Sequence, residues 1–206
     1  MTRAIVYLVE DDAAVRSSLV RILELEGYHV EAFAAPAELL AQYDPAKPGC
    51  LVLDLRLPEM SGIELRQRLV DQGCRHPFII ITGHGEVRDA THSMRMGAVD
   101  FIEKPLDRKI LLARVSEAVT TDLQRRLAAE QHELFRARLE ALTPREREVL
   151  QLVVAGRLSK QIASELKIAI KTVEVHRSNI VRKMQIDNVI QLVRLYTEYT
   201  GTCDSN

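Results

Sequence analysis

Five side chains with complementary chemistry close short apolar runs in the first half of this chain. Val9 is followed by Glu10, Asp11 and Asp12, and Leu51-Val52-Leu53 by Asp54. Ile80-Ile81 runs into Thr82, and Phe101-Ile102-Glu103 into Lys104-Pro105. Three carboxylates crowd together fully ionised only if a cation offsets their repulsion. Mg²⁺ suits such a set, because it takes carboxylate and carbonyl oxygens and keeps waters for an incoming phosphate. Asp54, the one acid ending its run, could then attack phosphorus and form an acyl phosphate. Lys104 could pair with one phosphoryl oxygen and Thr82 donate to another. Chemistry of this kind is mostly positioning and charge neutralisation. A phosphoryl-accepting site is expected.

Those groups converge only if the runs are parallel strands finishing at one edge of a sheet, where open α/β sheets bind ligands. The pattern supplies the strands and the helices between them. Strands are expected at 4–9, 28–33, 50–54, 78–81 and 99–102. Helices are expected at 13–26, with Val15, Leu19, Ile22 and Leu23 on one face, at 36–43 behind Pro36, at 61–72 and at 86–96. Gly27 and Gly97 stop two of them. Five strands alternating with helices make a doubly wound α/β domain with a parallel sheet, the flavodoxin-like arrangement.

From Asp107 to Leu139 there is neither Gly nor Pro, and Leu112, Val115, Val119, Leu123, Leu127 and Leu134 recur at spacings of three, four or seven. This segment reads either as a last helix running on as a connector with the spacing of a short coiled coil, or as an irregular charged linker. After Leu142 the pattern changes. Thr143-Pro144-Arg145-Glu146 is a helix start with a cap, a first-turn proline and a capping-box glutamate, and the helix stops at Ala155-Gly156. Ser159 is expected to cap a short helix at 160–166, followed by helices at 171–184 and 188–199. A short helix, a tight turn and a basic amphipathic helix make a helix-turn-helix. The expected division is 1–122, a helical linker at 123–139, and a small four-helix domain at 140–206.

The charge follows this division. The chain of 206 residues has a net charge of −1, but residues 1–122 carry 14 basic against 19 acidic side chains. Residues 155–183 carry seven basic residues against Glu165 and Glu174. An acidic front and a locally basic back fit two domains with different partners. Cys50, Cys74 and Cys203 have neither disulfide-framework nor metal-site spacing, the six histidines are dispersed, and no apolar run approaches the roughly 20 residues of a membrane span. With no signal segment at its start, a cytoplasmic protein is expected.

Residues 1–120 resemble a response-regulator receiver domain of two-component signalling. The segments Thr82-Gly83-His84-Gly85 and Gly97-Ala98-Val99-Asp100-Phe101-Ile102-Glu103-Lys104-Pro105 look FixJ-like. Residues 140–200, through Leu142-Thr143-Pro144-Arg145-Glu146-Arg147-Glu148-Val149-Leu150 and Lys171-Thr172-Val173-Glu174-Val175-His176-Arg177, resemble the LuxR-type helix-turn-helix of the NarL/FixJ family. The resemblance implies Asp54 as phosphoacceptor, and Glu10, Asp11, Asp54 and the Arg56 backbone carbonyl as Mg²⁺ ligands. It makes Thr82 and Phe101 a switch pair, Lys104 the phosphate-contacting lysine and Lys104-Pro105 a cis bond. Asp12 is expected to be only a helix cap.

The same resemblance implies a DNA-binding transcription regulator, not an enzyme beyond turnover of its own phosphoryl group, and an activator by the habit of relatives. Its partners would be a sensor histidine kinase, double-stranded DNA, RNA polymerase and, on phosphorylation, a second copy. Val173, Ile180 and Met184 should face inward on the helix at 171–184. Lys171, Thr172, Glu174, Val175, Arg177, Ser178, Arg182 and Lys183 remain for DNA, with Glu174, Val175 and Ser178 where relatives touch base edges. Three departures stand out: Lys167 where Gly is usual, Ala169-Ile170 in place of a capping pair, and Arg88-Asp89 on a surface through which relatives dimerise. Two rivals are weaker. A phosphatase of related topology wants a second acid where Arg56 stands, and a phosphorelay module without DNA contact has no use for the basic helix.

Overall fold

A computed structural model gives the architecture of residues 4–83 and 100–203. Two compact units divide at Leu127 and Ala128. The first holds β1 (Ile5–Val9), α1 (Ala13–Leu25), β2 (His29–Phe33), α2 (Pro36–Gln42), β3 (Gly49–Asp54), α3 (Gly62–Asp71), β4 (Phe78–Thr82), β5 (Asp100–Glu103) and the first part of α4 (Arg108–Glu140). The helix expected at 86–96, its stop at Gly97, the Arg88-Asp89 departure, His84 and His92 lie outside the described residues.

All five strands are parallel, in the order β2-β1-β3-β4-β5. The central strands are apolar throughout because both of their faces are covered. Period-two alternation divides their side chains between two cores. Tyr7, Val9, Leu51, Leu53, Phe78 and Ile80 face Leu39 of α2 and Leu65 and Leu69 of α3. Val6, Leu8, Cys50, Val52, Ile79 and Ile81 face Leu19 and Leu23 of α1 and Leu111, Val115, Ala118 and Val119 of α4. With helices on both faces, the central strands β1, β3 and β4 are buried along their length, while the edge strand β2 stays partly exposed.

Segment 123–139 is helical, within an unbroken α4 of 33 residues, so the irregular-linker alternative falls. Its attachment to the sheet lasts beyond the apolar positions. Asp122, fully buried, accepts from the Gly49 N–H at 2.9 Å, and Arg126 donates to the Pro45, Ala46 and Lys47 carbonyls at 2.8 Å. Leu123, Leu127 and Leu134 are about half exposed, at 45%, 55% and 51%.

The second unit has a core of its own, including Phe135, Val149, Leu150, Ile162, Val173, Ile180, Met184 and Leu192. It comprises the end of α4, then α5 (Pro144–Val154), α6 (Ser159–Leu166), α7 (Ile170–Met184) and α8 (Val189–Cys203). The Thr143 capping box forms as expected: Thr143 Oγ1 accepts from the Glu146 N–H, and Glu146 accepts from the Thr143 N–H at 2.8 Å. Ser159 is not a cap. It is the first residue of α6, and Leu158 holds the cap position with its N–H donated to Gln161 Oε1 at 2.9 Å. The glutamine three residues on thus satisfies an end that no side-chain hydroxyl serves.

Candidate functional site

The carboxyl ends of β1, β3, β4 and β5 bring the expected groups together. Glu10 and Asp54 are buried, at 1% and 5% exposure, while Asp11 is exposed. One oxygen from each of these three lies within 4.8 Å of the others. Lys104 Nζ is 2.9 Å from Glu10 Oε2 and 2.5 Å from Asp54 Oδ2. Asp54 Oδ1 accepts the Arg56 backbone N–H at 3.1 Å. These groups, with Asp12, Val15 and Gly83, line one open pocket. Burial pushes the Glu10 carboxyl above its usual range and the neighbouring Asp54 adds to that push, while Lys104 opposes it. Burial pulls the Lys104 ammonium down, but its bonds to Asp54 and Glu10 prevail and hold it above the ordinary value.

Three local devices hold this arrangement. Asp12 caps α1, accepting from Ala14 and Val15 at 2.8 and 2.9 Å, as expected. Those two bonds keep its carboxyl low. Arg16, one turn on, donates to the Glu10 and Asp11 carbonyls at 2.7 and 3.0 Å, so the strand-to-helix turn that carries both acids is tied down from below. No spacing rule had singled out Arg16. At α3, a Cβ on Gly62 would meet the Asp54 carbonyl oxygen at 2.2 Å, so only glycine allows α3 to begin so close to β3.

Thr82 and Phe101 sit on the neighbouring strands. Thr82 is buried at 5% exposure, its hydroxyl donating to the Gly83 carbonyl at 3.2 Å. Phe101 is half-buried and packs against the core on the α2–α3 face. The Lys104 N–H donates to the Thr82 carbonyl at 2.8 Å, and the Lys104-Pro105 bond is cis, as expected. Two acids and a cation thus surround the Asp54 carboxylate, with the Thr82 hydroxyl at the end of the adjacent strand, a layout able to accept a phosphoryl group.

The second site is the exposed side of α7. Val173, Ile180 and Met184 are buried, as expected, which fixes the helix's rotation on the second unit. Lys171, Thr172, Glu174, Val175, Ser178 and Arg182 are exposed, and Arg177 and Lys183 are half-buried. Arg177 lies 3.4 Å from Ser159 Oγ, and Arg182 donates to Asn179 Oδ1 at 3.3 Å. Lys183 differs from the rest, because its ammonium donates to the buried Glu146 at 2.7 Å. Burial works against ionisation of Glu146, yet the Lys183 and Thr143 bonds hold its carboxyl below the usual range. The cap expected to be missing is missing: Ala169 holds the cap position of α7 with no side-chain bond. Lys167, between α6 and α7, takes left-handed backbone at φ 53°, where a glycine would sit without strain.

The likenesses to known proteins follow the same two parts. Residues 6–116 match the family described as "Response regulator receiver domain". Residues 140–196 match "Bacterial regulatory proteins, luxR family". The chain is 40% identical over 195 residues to the transcriptional regulatory protein FixJ of Rhizobium meliloti, covering 95% of this chain and 96% of that one. It is 38% identical over 192 residues to the response regulator protein TodT of Pseudomonas putida, covering 93% and 85%. Among solved structures, the response regulator StyR superposes with a TM-score of 0.86 at 38% identity over 96% of this chain and all of that one. Full-length FixJ from B. japonicum superposes with a TM-score of 0.60 at 38% identity, covering 98% and 99%. A receiver implies a histidine kinase as partner and a LuxR-type domain implies DNA, the pairing of a phosphorylation-controlled transcription regulator. The chain therefore belongs to the two-component response regulators that join a receiver domain to a LuxR-type DNA-binding domain, as FixJ does.

Proposed function

We propose that Asp54 takes a phosphoryl group from the phosphohistidine of a sensor kinase and that this event controls DNA binding by α7. A carboxylate oxygen of Asp54 attacks phosphorus as the phosphorus–nitrogen bond breaks, and the departing imidazole keeps that electron pair. Glu10, Asp11, Asp54 and the Arg56 carbonyl are the residues to hold Mg²⁺, whose donor set of oxygens fits that ion. When bound, Mg²⁺ neutralises charge on the phosphoryl oxygens. Lys104, already on Asp54, then shifts its hydrogen bond to a phosphoryl oxygen, and the Thr82 hydroxyl turns from Gly83 to another. The space this leaves draws in Phe101 and reshapes the β5 surface. Turnover of its own phosphoryl group is the only catalysis in this reading.

The functional order is an acceptor at 1–122, a connector at 123–139 and a reader at 140–206. Phosphorylation pairs two receivers and sets two readers on paired half-sites. Lys171, Arg177 and Arg182 supply positive charge toward the phosphates, Thr172 a hydroxyl, and Glu174, Val175 and Ser178 face base edges, while Lys183 is turned to Glu146. The protein works in the cytoplasm and activates transcription through contact with RNA polymerase. The observation that carries the phosphoryl reading is the cluster itself: three carboxylates within 4.8 Å with an ammonium 2.5 Å from Asp54. The test is to treat the full chain with acetyl phosphate and Mg²⁺, then measure its mass in solution and its affinity for promoter fragments. A shift from monomer to dimer with tighter binding is expected. Phosphorylation that changes neither would refute the coupling.

A further inference from the structure

The carboxyl end of α7 is held by another helix. Arg138, in the last turn of α4, reaches it with both arms of its guanidinium. One donates to the Met184 carbonyl at 3.0 Å and the other to Gln185 Oε1 at 2.7 Å. Gln185 follows the helix in left-handed backbone at φ 51°, which turns its side chain away from a continued helix. Lys183 returns the contact, with its ammonium 3.3 Å from the Ala141 carbonyl and 2.7 Å from Glu146. Glu146 is buried at 3% exposure and is itself fixed by the Thr143 N–H. Two cations and one buried carboxylate thus stitch the end of α7 to the last turn of α4 and the first turn of α5.

A cation at a helix carboxyl terminus meets its unpaired carbonyls and the negative end of its dipole. A guanidinium fork bonded at two points fixes direction as well as distance. The buried residues Val173, Ile180 and Met184 set how α7 is rotated, whereas apolar contacts are non-directional and resist sliding along the axis less. Reading base edges depends on that axial position, since functional groups must be held within about 0.5 Å.

We propose that Arg138, with the Lys183–Glu146 pair, is a positioning device for α7, so that the last turn of α4 sets the sequence discrimination of the DNA-binding unit. Lys183 acts in it on the protein and not on a phosphate. The proposal rests on α7 being the helix that enters the groove. It also predicts that a fragment beginning after Arg138 reads DNA less selectively than the full chain.

The test uses the full chain treated with acetyl phosphate and Mg²⁺. A duplex is first selected by the wild type from a random library, then titrated beside its scrambled counterpart over several salt concentrations. Wild type, Arg138→Ala and Lys183→Met are compared, and amide exchange across residues 181–184 is followed without DNA. Affinity for the selected duplex should fall about tenfold, the size of one lost base contact, with scrambled binding and the salt slope unchanged. Exchange in the last turn of α7 should quicken. Equal losses on both duplexes, with a slope smaller by about one, would make these residues phosphate contacts and overturn the proposal. Unchanged exchange would overturn the clamp whatever the DNA does. A wild type that selects no duplex refutes the groove reading and the claim on discrimination, while exchange still decides the clamp. If Arg138→Ala melts the unit, Gln185→Ala removes only the outer half of the clamp and carries the same test.

Discussion

The two functional surfaces are built in opposite ways. At the receiver's strand ends, Glu10, Asp54, Thr82 and Lys104 come from positions up to 94 residues apart, and three of the four are buried. Their charges face one another, so each side chain's state depends on its neighbours. On α7 the candidate DNA contacts come from one stretch of chain, most are exposed, and few touch anything else in the protein. A site that must change state on gaining one phosphoryl group benefits from coupling and burial, where the dielectric is low. A surface that must meet a polyanion benefits from solvated charges that keep their partners outside the molecule. Substitutions in the first should therefore act together, and those in the second separately.

The largest effect expected is total. Asp54→Asn keeps the shape of the strand end but removes the nucleophile, so acetyl phosphate should leave no acid-labile phosphoryl group on the chain. Phosphoryl incorporation in that variant would move the acceptor elsewhere. Next comes Glu10→Gln with Asp11→Asn. The remaining carboxylate cannot hold a reluctantly dehydrating ion alone, so Mg²⁺ affinity followed by titration should drop at least tenfold. An unchanged titration would place the ion away from this cluster, and the coupled-site account would fail with it.

On α7 the expected effects are smaller and separable. Lys171→Ala and Arg182→Ala should each weaken specific and scrambled DNA alike, and lower the slope of log affinity against log salt by about one. Val175 and Ser178 are neutral, and changing them should alter site preference by about 1–3 kcal/mol at one base pair while leaving the slope intact. Salt titrations of each variant on both duplexes check this. Slopes that fall for Val175 variants would erase the distinction between charge and reading. The smallest change is a gain. Lys167→Gly relieves left-handed strain of about 1–2 kcal/mol and gives part of it back to the freer unfolded chain. A rise in denaturation midpoint of the second unit worth about 0.5–1 kcal/mol is expected, and a fall would show that Lys167 has a stabilising contact.

Much of this was legible in the residues. Apolar runs ending in polar groups placed the five strands and brought Glu10, Asp11, Asp54 and Lys104 together, with Thr82 at the end of β4, because a parallel sheet puts all strand ends on one edge. Capping signals placed the start of α5, since Thr143 and Glu146 serve orphan N–H groups within one turn. At the start of α6 the local signal is weaker. Ser159 looked like a cap but stands one residue inside α6, because Gln161 competes for the same helix end.

Other features had no local signal at all. The continuity of α4 was open from sequence, since a half-apolar stripe fits a packed helix or a solvated one. Arg16 beneath Glu10 and Asp11, Asp122 on the Gly49 N–H and Arg138 on the end of α7 are charged side chains whose targets are backbone groups. Lys183 was read as a DNA contact from its charge and its helix face, and only packing turned it toward Glu146. The sequence by itself determined which groups end the strands and which face of α7 is apolar, because both follow from periodicity along the chain. Which charged side chains remain for ligands was decided by tertiary structure alone. A buried carboxylate or an unpaired carbonyl takes the nearest cation, and nearness across the chain is a property of the fold.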